Sequence, residues 1–121
     1  MPTREQHLKQ ASKNEVFVEV VRKGQSDHYA WAVTAMFYSA VQYGRAFLAS
    51  KGILITSHQQ FATHFLRATN DTALYAHYRR LKDESERGRY DCVTFSLAEI
   101  GELESQHFIP FRDAIVPPVA P

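Results

Sequence analysis

The chain has 121 residues, with 14 basic and 13 acidic side chains, a formal net charge of +1 and a single cysteine. A chain of this length suits one domain, which can bury roughly two thirds of its unfolded surface without help from a metal or a disulfide. The balanced charge excludes bulk attraction to nucleic acid or an anionic membrane, and the lone Cys92 excludes an internal disulfide and fits a reducing compartment.

The N-terminal residues Met1–His7 are polar and hold no apolar run of signal-peptide type, so the cytoplasm is the expected location. Thr3 with Gln6 has the form of a capping box and opens a first helix. Leu8, Ala11, Val18 and Val21 recur at helical spacing up to Gly24. The β-branched run Val16–Val21 reads as helix rather than strand, because no partner strand follows to satisfy its backbone.

Ser26 or Asp27 caps a second helix reaching about Ser50, and Gly52 supplies the left-handed stop. Trp31, Ala35, Tyr38, Gln42 and Arg45 form one stripe, and Val33, Phe37, Ala40, Val41, Phe47 and Leu48 form another. A helix apolar nearly all round is a central one, so Trp31 and Tyr38 read as core. A buried Trp31 would cost roughly 3–5 kcal/mol on truncation to alanine. Thr34, Ser39, Gln42 and Arg45 make the stretch too polar to span a membrane.

Ser57 with Gln60 opens a third helix, with Phe61 and Phe65 one turn apart. Asn70 or Asp71 caps a fourth, with Leu74, Tyr78, Leu81 and Ser85 inward and an end near Gly88. Ser96 with Glu99 opens a last helix carrying Leu97, Ile100, Leu103 or Glu104, and then Phe108, which Pro110 should end or kink. The fold expected is all-α: an up-and-down four-helix bundle with an additional C-terminal helix, one domain over 1–115, and a disordered proline-rich tail over 116–121.

The run Tyr29-Ala-Trp-Ala-Val-x4-Tyr-Ser-Ala40 resembles the HEPN superfamily. So do Arg45-Ala-x-Leu-Ala-x-Lys-Gly52, the Ser57-His58 start, and Tyr78-x2-Leu81-x3-Ser85-x3-Arg89-Tyr90, which is similar to the late helix of short bacterial members. The resemblance spans about residues 5–108 and implies a four-helix bundle, often a homodimer, that binds RNA, a nucleotide or a partner protein. A toxin–antitoxin or defence setting, with an antitoxin-like partner, belongs to the same implication. Ribonucleases of the superfamily carry an arginine followed after four to six residues by a histidine on a late helix. None of Arg67, Arg79, Arg80, Arg87 or Arg89 has such a histidine downstream, so the chain departs from the catalytic pattern and reads as a binding protein before an enzyme.

Two alternatives stand beside the binding reading: a metal-independent ribonuclease with His58 and Arg89 as catalytic pair, in which the imidazole moves a proton and the guanidinium stabilises a phosphorane, and a purely structural dimerisation module. Ser57, Tyr78, Ser85 and Tyr90 are candidate binding residues. In an alternating bundle His58 and Arg89 share one end, and Asp27 and His28 lie at the other. Arg79–Asp83 and Arg80–Glu84 can neutralise each other along the fourth helix. His58 and His64 do not share a helical face, no other ligand spacing is present, and neither a metal nor a cofactor is expected. One Trp, six Tyr and eight Phe are many for so small a bundle to hide, which also favours a homodimer joined through an apolar helix face.

Overall fold

The computed structural model describes residues 2–116 and is an all-α bundle with an additional C-terminal helical segment. The proline-rich tail lies, apart from Val116, outside the described residues. Helix α1 spans Arg4–Arg22, α2 Tyr29–Ser50, α3 His58–Thr69 and α4 Thr72–Tyr90. The C-terminal segment comprises α5 (Leu97–Leu103), a π-turn (Glu104–Phe108) and α6 (Ile109–Ile115). Among the described residues no helix is long and apolar enough to cross a membrane.

Local chemistry sets the helix starts. Thr3 and Gln6 make the reciprocal capping box, and Ser96 and Glu99 make another. Ser57 caps α3 by accepting from the Gln60 amide, while the Gln60 side chain accepts from Thr56 instead of closing the box. Asn70 takes the left-handed position that ends α3, and Asp71 caps α4 by accepting from the Leu74 amide.

Two stop signals act differently from the sequence expectation. Helix α4 passes through Gly88 and ends at Tyr90. A Cβ on Gly88 would stand 3.0 Å from the Phe95 ring and 3.3 Å from the Ala30 Cβ. This glycine therefore permits close packing within the helix, and the left-handed residue past the helix is Cys92. Pro110 does not end the last helix. The π-turn before it closes the Ile109 amide on the Glu104 carbonyl, and this wider register passes the chain into α6, with proline in its first turn.

Helix α2 is central, as its apolar character requires, and Val33, Met36, Phe37, Ala40 and Leu48 are buried. Helix α1 packs along it, with the Ser39 hydroxyl donating to the Ala11 carbonyl and the Tyr43 hydroxyl to Glu15. The C-terminal segment is tied to α1 by Arg22–Glu104 and Arg112–Glu15. Helix α3 advances along α2 in the same sense: His58 lies against Phe37 and Tyr38, Phe61 against Gly44, and Phe65 against Phe47. Residues 51–57 run back along α2 to make this possible. Helix α4 runs opposite to both, pairing Tyr78 with Phe37 and Phe61, and Gly88 with Ala30.

One stripe of α2 faces an opening instead of the core. Trp31 is 57% exposed and Tyr38 37% exposed, whereas both were expected inside. The flanking helices cover the rest of α2 and leave this strip between α1 and α4. Trp31→Ala should therefore cost less than about 1 kcal/mol in urea melts, in line with surface substitutions generally. A loss of several kcal/mol would mean that the indole is packed.

Candidate functional site

The open strip of α2 meets the start of α3 and the last turns of α4. Tyr38 stands at this corner. Its hydroxyl accepts from an Arg89 terminal nitrogen at 3.1 Å, and the guanidinium carbon lies 5.6 Å from its ring centre. The His58 ring is 6.3 Å from the Tyr38 ring and 6.0 Å from Phe37. His58 and Arg89 thus flank one tyrosine. The sequence-predicted pair shares a corner, with a residue between them that the sequence reading had assigned to packing.

Arg89 is held in place by several groups. Its Nε donates to the Ser85 carbonyl at 3.4 Å, and Tyr90 stacks against it with a ring centre 5.0 Å away. The remaining arginines of α4 each have a carboxylate partner, Arg79 and Arg80 at i,i+4 spacing and Arg87 at i,i+3 on the carboxylate that Arg80 also uses. Arg79 pairs with Asp83, Arg80 with Glu84, and Arg87 also with Glu84. Among the described residues Arg89 meets no carboxylate, and neither does Arg45, whose buried Nε–H has no hydrogen-bond partner at all.

The electrostatics of His58 record this surplus of positive charge. Its pKa is pushed below the usual 6.5, first by desolvation against the aromatic rings and then by the charges of Arg45, Arg89 and Lys82. Lys82 itself pairs with Glu86 at 3.0 Å. The imidazole is therefore neutral at pH 7, accessible, and close to two cations, Arg45 and Arg89, that meet no carboxylate among the described residues. Two backbone N–H groups in the first turn of α3, those of His58 and Gln59, add to the attraction for a negative group.

The other expected site residues fall elsewhere. Ser57 is exposed, but its hydroxyl is occupied in capping α3. Tyr78 and Ser85 are fully buried in the core, and neither hydroxyl has a partner among the described residues. Burial pushes the Tyr78 phenol up to about 12. Neither hydroxyl is presented to a ligand; Ser85 contributes through its carbonyl alone.

Asp27 does not lie at the far end of the bundle. It lines one cleft of about 730 Å³ together with Trp31, Arg89 and Tyr90. The reason is the direction of α3: with residues 51–57 running back along α2, the end of α4 returns to the start of α2. Sequence reasoning also missed Arg45 as a site residue, although an arginine on the stripe with Trp31 and Tyr38 was a signal that this face is open. A separate imidazole pair, His77 and His107 with Nδ1 atoms 3.0 Å apart, sits between α4 and the π-turn, a contact with no local sequence signal. Among the described residues no three His, Cys, Asp or Glu side chains converge to hold a metal ion.

Comparison with protein-family models, with curated proteins and with solved structures finds no match to this chain.

Proposed function

We propose that the protein is a HEPN-like bundle that binds the phosphate of a nucleotide or of single-stranded RNA at the corner formed by Tyr38, His58 and Arg89, with the charge of Arg45 acting on it from the neighbouring cleft. The observation that carries this reading is the contrast among the arginines. Those elsewhere on α4 have carboxylate partners, whereas among the described residues Arg45 and Arg89, which both depress the His58 pKa, have none. Unpaired guanidinium groups beside an imidazole and a helix start are suited to a phosphate. The direct test is binding of a nucleoside monophosphate and of a labelled single-stranded RNA. Affinity that falls with added salt supports the reading. Absence of binding to either overturns it and leaves a protein partner, such as an antitoxin-like one, as the occupant.

Affinity should depend on pH with a definite sign. The His58 pKa is depressed in the free protein, and a bound phosphate raises it, so binding takes up a proton. Affinity therefore increases as pH falls from 8 toward 6, and His58→Gln flattens the dependence. A profile identical in wild type and His58→Gln would remove His58 from the site. In the absence of ligand the same depression means that the unfolded chain binds the His58 proton first. The His58 contribution to stability is thus intact above pH 6.5 and is lost as pH falls through the lower folded-state value.

The placement of His58 and Arg89 on either side of Tyr38 favours a second reading, metal-independent RNA cleavage. The neutral His58 imidazole would take the proton of a 2′-hydroxyl, and the 2′-oxygen would attack phosphorus. Arg89 would stabilise the charge on the phosphorane, and the 5′-oxygen would leave with a proton returned from the imidazolium or water. RNA cleavage that disappears in His58→Ala supports it; intact RNA after binding confines the protein to the first reading. Dimerisation belongs to the same proposal. Val16, Phe17 and Val20 make an exposed apolar strip on α1, and light scattering should give a dimer that Val20→Glu disrupts.

A further inference from the structure

We infer that the cleft between the start of α2 and the end of α4 is a nucleobase site, selective for guanine, for the ligand whose phosphate Arg89 binds. This inference rests on the phosphate reading above and adds the chemical class of the rest of the ligand. The cleft, about 730 Å³, is of a size usual for small-molecule sites. Its walls are largely apolar, with Ala30, Val93 and the Phe95 ring, which Gly88 allows to lie against α4. Trp31 from α2 and Tyr90 from α4 present aromatic surface there, and both are left open to solvent, at 57% and 71%. Exposed rings bordering a cleft are what a planar base stacks on.

Two polar observations specify the base further. Thr34 lines the cleft and is only 4% exposed, yet its hydroxyl has no hydrogen-bond partner among the described residues. A buried, unpaired hydroxyl is costly unless a ligand or water completes it. Asp27 also lines the cleft and has no ion pair or side-chain hydrogen bond among the described residues. A carboxylate only accepts. Guanine offers two adjacent donors on its pairing edge, N1–H and the 2-amino group, whereas adenine alternates a donor with an acceptor there. Arg89 belongs both to the cleft and to the phosphate corner, so one guanosine phosphate can occupy base site and anion site together.

The experiment uses the intact protein and its single tryptophan as reporter. Titrations follow Trp31 fluorescence with GMP, and calorimetry compares GMP, AMP, ribose 5-phosphate and inorganic phosphate. GMP should change Trp31 emission and bind at least about tenfold more tightly than ribose 5-phosphate, the range that base–aromatic stacking supplies. Trp31→Ala, whose fold is safe because the indole is exposed, should remove that gain and leave ribose 5-phosphate affinity unchanged. Asp27→Asn should remove the preference for GMP over AMP. An oligouridylate with one guanosine separates the sources: tighter binding than GMP assigns the site to RNA, and weaker binding to a free nucleotide. Equal affinity for GMP and ribose 5-phosphate overturns the base site while leaving the phosphate corner intact. Equal affinity for GMP and AMP overturns the guanine assignment. No binding by any of the four overturns both this inference and the phosphate reading.

Discussion

Replacing Arg89 with alanine should weaken nucleotide or RNA binding by about ten- to hundredfold, the range expected when a charge-assisted hydrogen bond to an anion is lost. The guanidinium is aimed by the Ser85 carbonyl, the Tyr38 hydroxyl and the Tyr90 ring, and among the described residues no carboxylate neutralises it. Its removal costs the fold little, since no buried partner is stranded. Arg79→Ala is the matched control. That side chain is exposed and already paired with Asp83, so binding should be unchanged. Similar losses in both variants would mean that general positive charge, and not the corner, holds the ligand. Arg89→Lys should recover only part of the affinity, because an ammonium cannot hold both Tyr38 and a phosphate in the fork geometry of guanidinium.

The largest stability effect should come from Phe61→Ala, with a loss of roughly 3–5 kcal/mol. Phe61 is fully buried where α3 crosses α2, with ring centres 5.3 Å from Phe65 and 5.0 Å from Tyr78. It rests directly on Gly44, where any side chain would run into the ring. Gly44→Val should therefore be destabilising as well, through overpacking at the same contact. A domain of this size has only about 5–15 kcal/mol in total, so either variant consumes a large part of the fold's margin. Chemical denaturation measures both. A loss below about 1 kcal/mol for Phe61→Ala would contradict the packing of α3 against α2. Because α3 carries His58, the same substitution should also weaken phosphate binding under conditions where the protein stays folded.

The parts of this structure legible in the sequence are those set by neighbouring residues. Thr3, Ser57, Asp71 and Ser96 announce their helices because capping is a contact across three residues. The pairing of Arg79 and Arg80 follows from helical period, which leaves Arg87 and Arg89 alike; the contact of Arg87 with Glu84 then sets Arg89 apart. What was not legible depends on distant segments. The stripe Trp31–Tyr38–Arg45 is visible in the sequence, but its period is the same whether it faces core or solvent. Which it faces depends on how α1 and α4 flank α2. The position of Asp27 is hidden from the sequence for a similar reason. Only the return of residues 51–57 along α2 decides that the start of α2 and the end of α4 meet. Gly88 carries the sequence appearance of a stop, and only its tertiary contact with Phe95 and Ala30 shows it to be a packing glycine. Tyr78 and Ser85 share a helix face with Arg89, yet they point into the core while the longer arginine reaches past them to the surface.

The most direct test of the phosphate corner is a side-chain nuclear magnetic resonance titration of the intact protein with GMP, following the histidine ring and arginine Nε–H signals together. His58 and Arg89 should shift along one saturation curve with a single dissociation constant, and the His58 pKa should rise on binding. The His77 and His107 signals, which lie beside the π-turn, should stay still. Shifts confined to the His77–His107 pair, or separate curves for His58 and Arg89, would contradict a shared phosphate site at this corner.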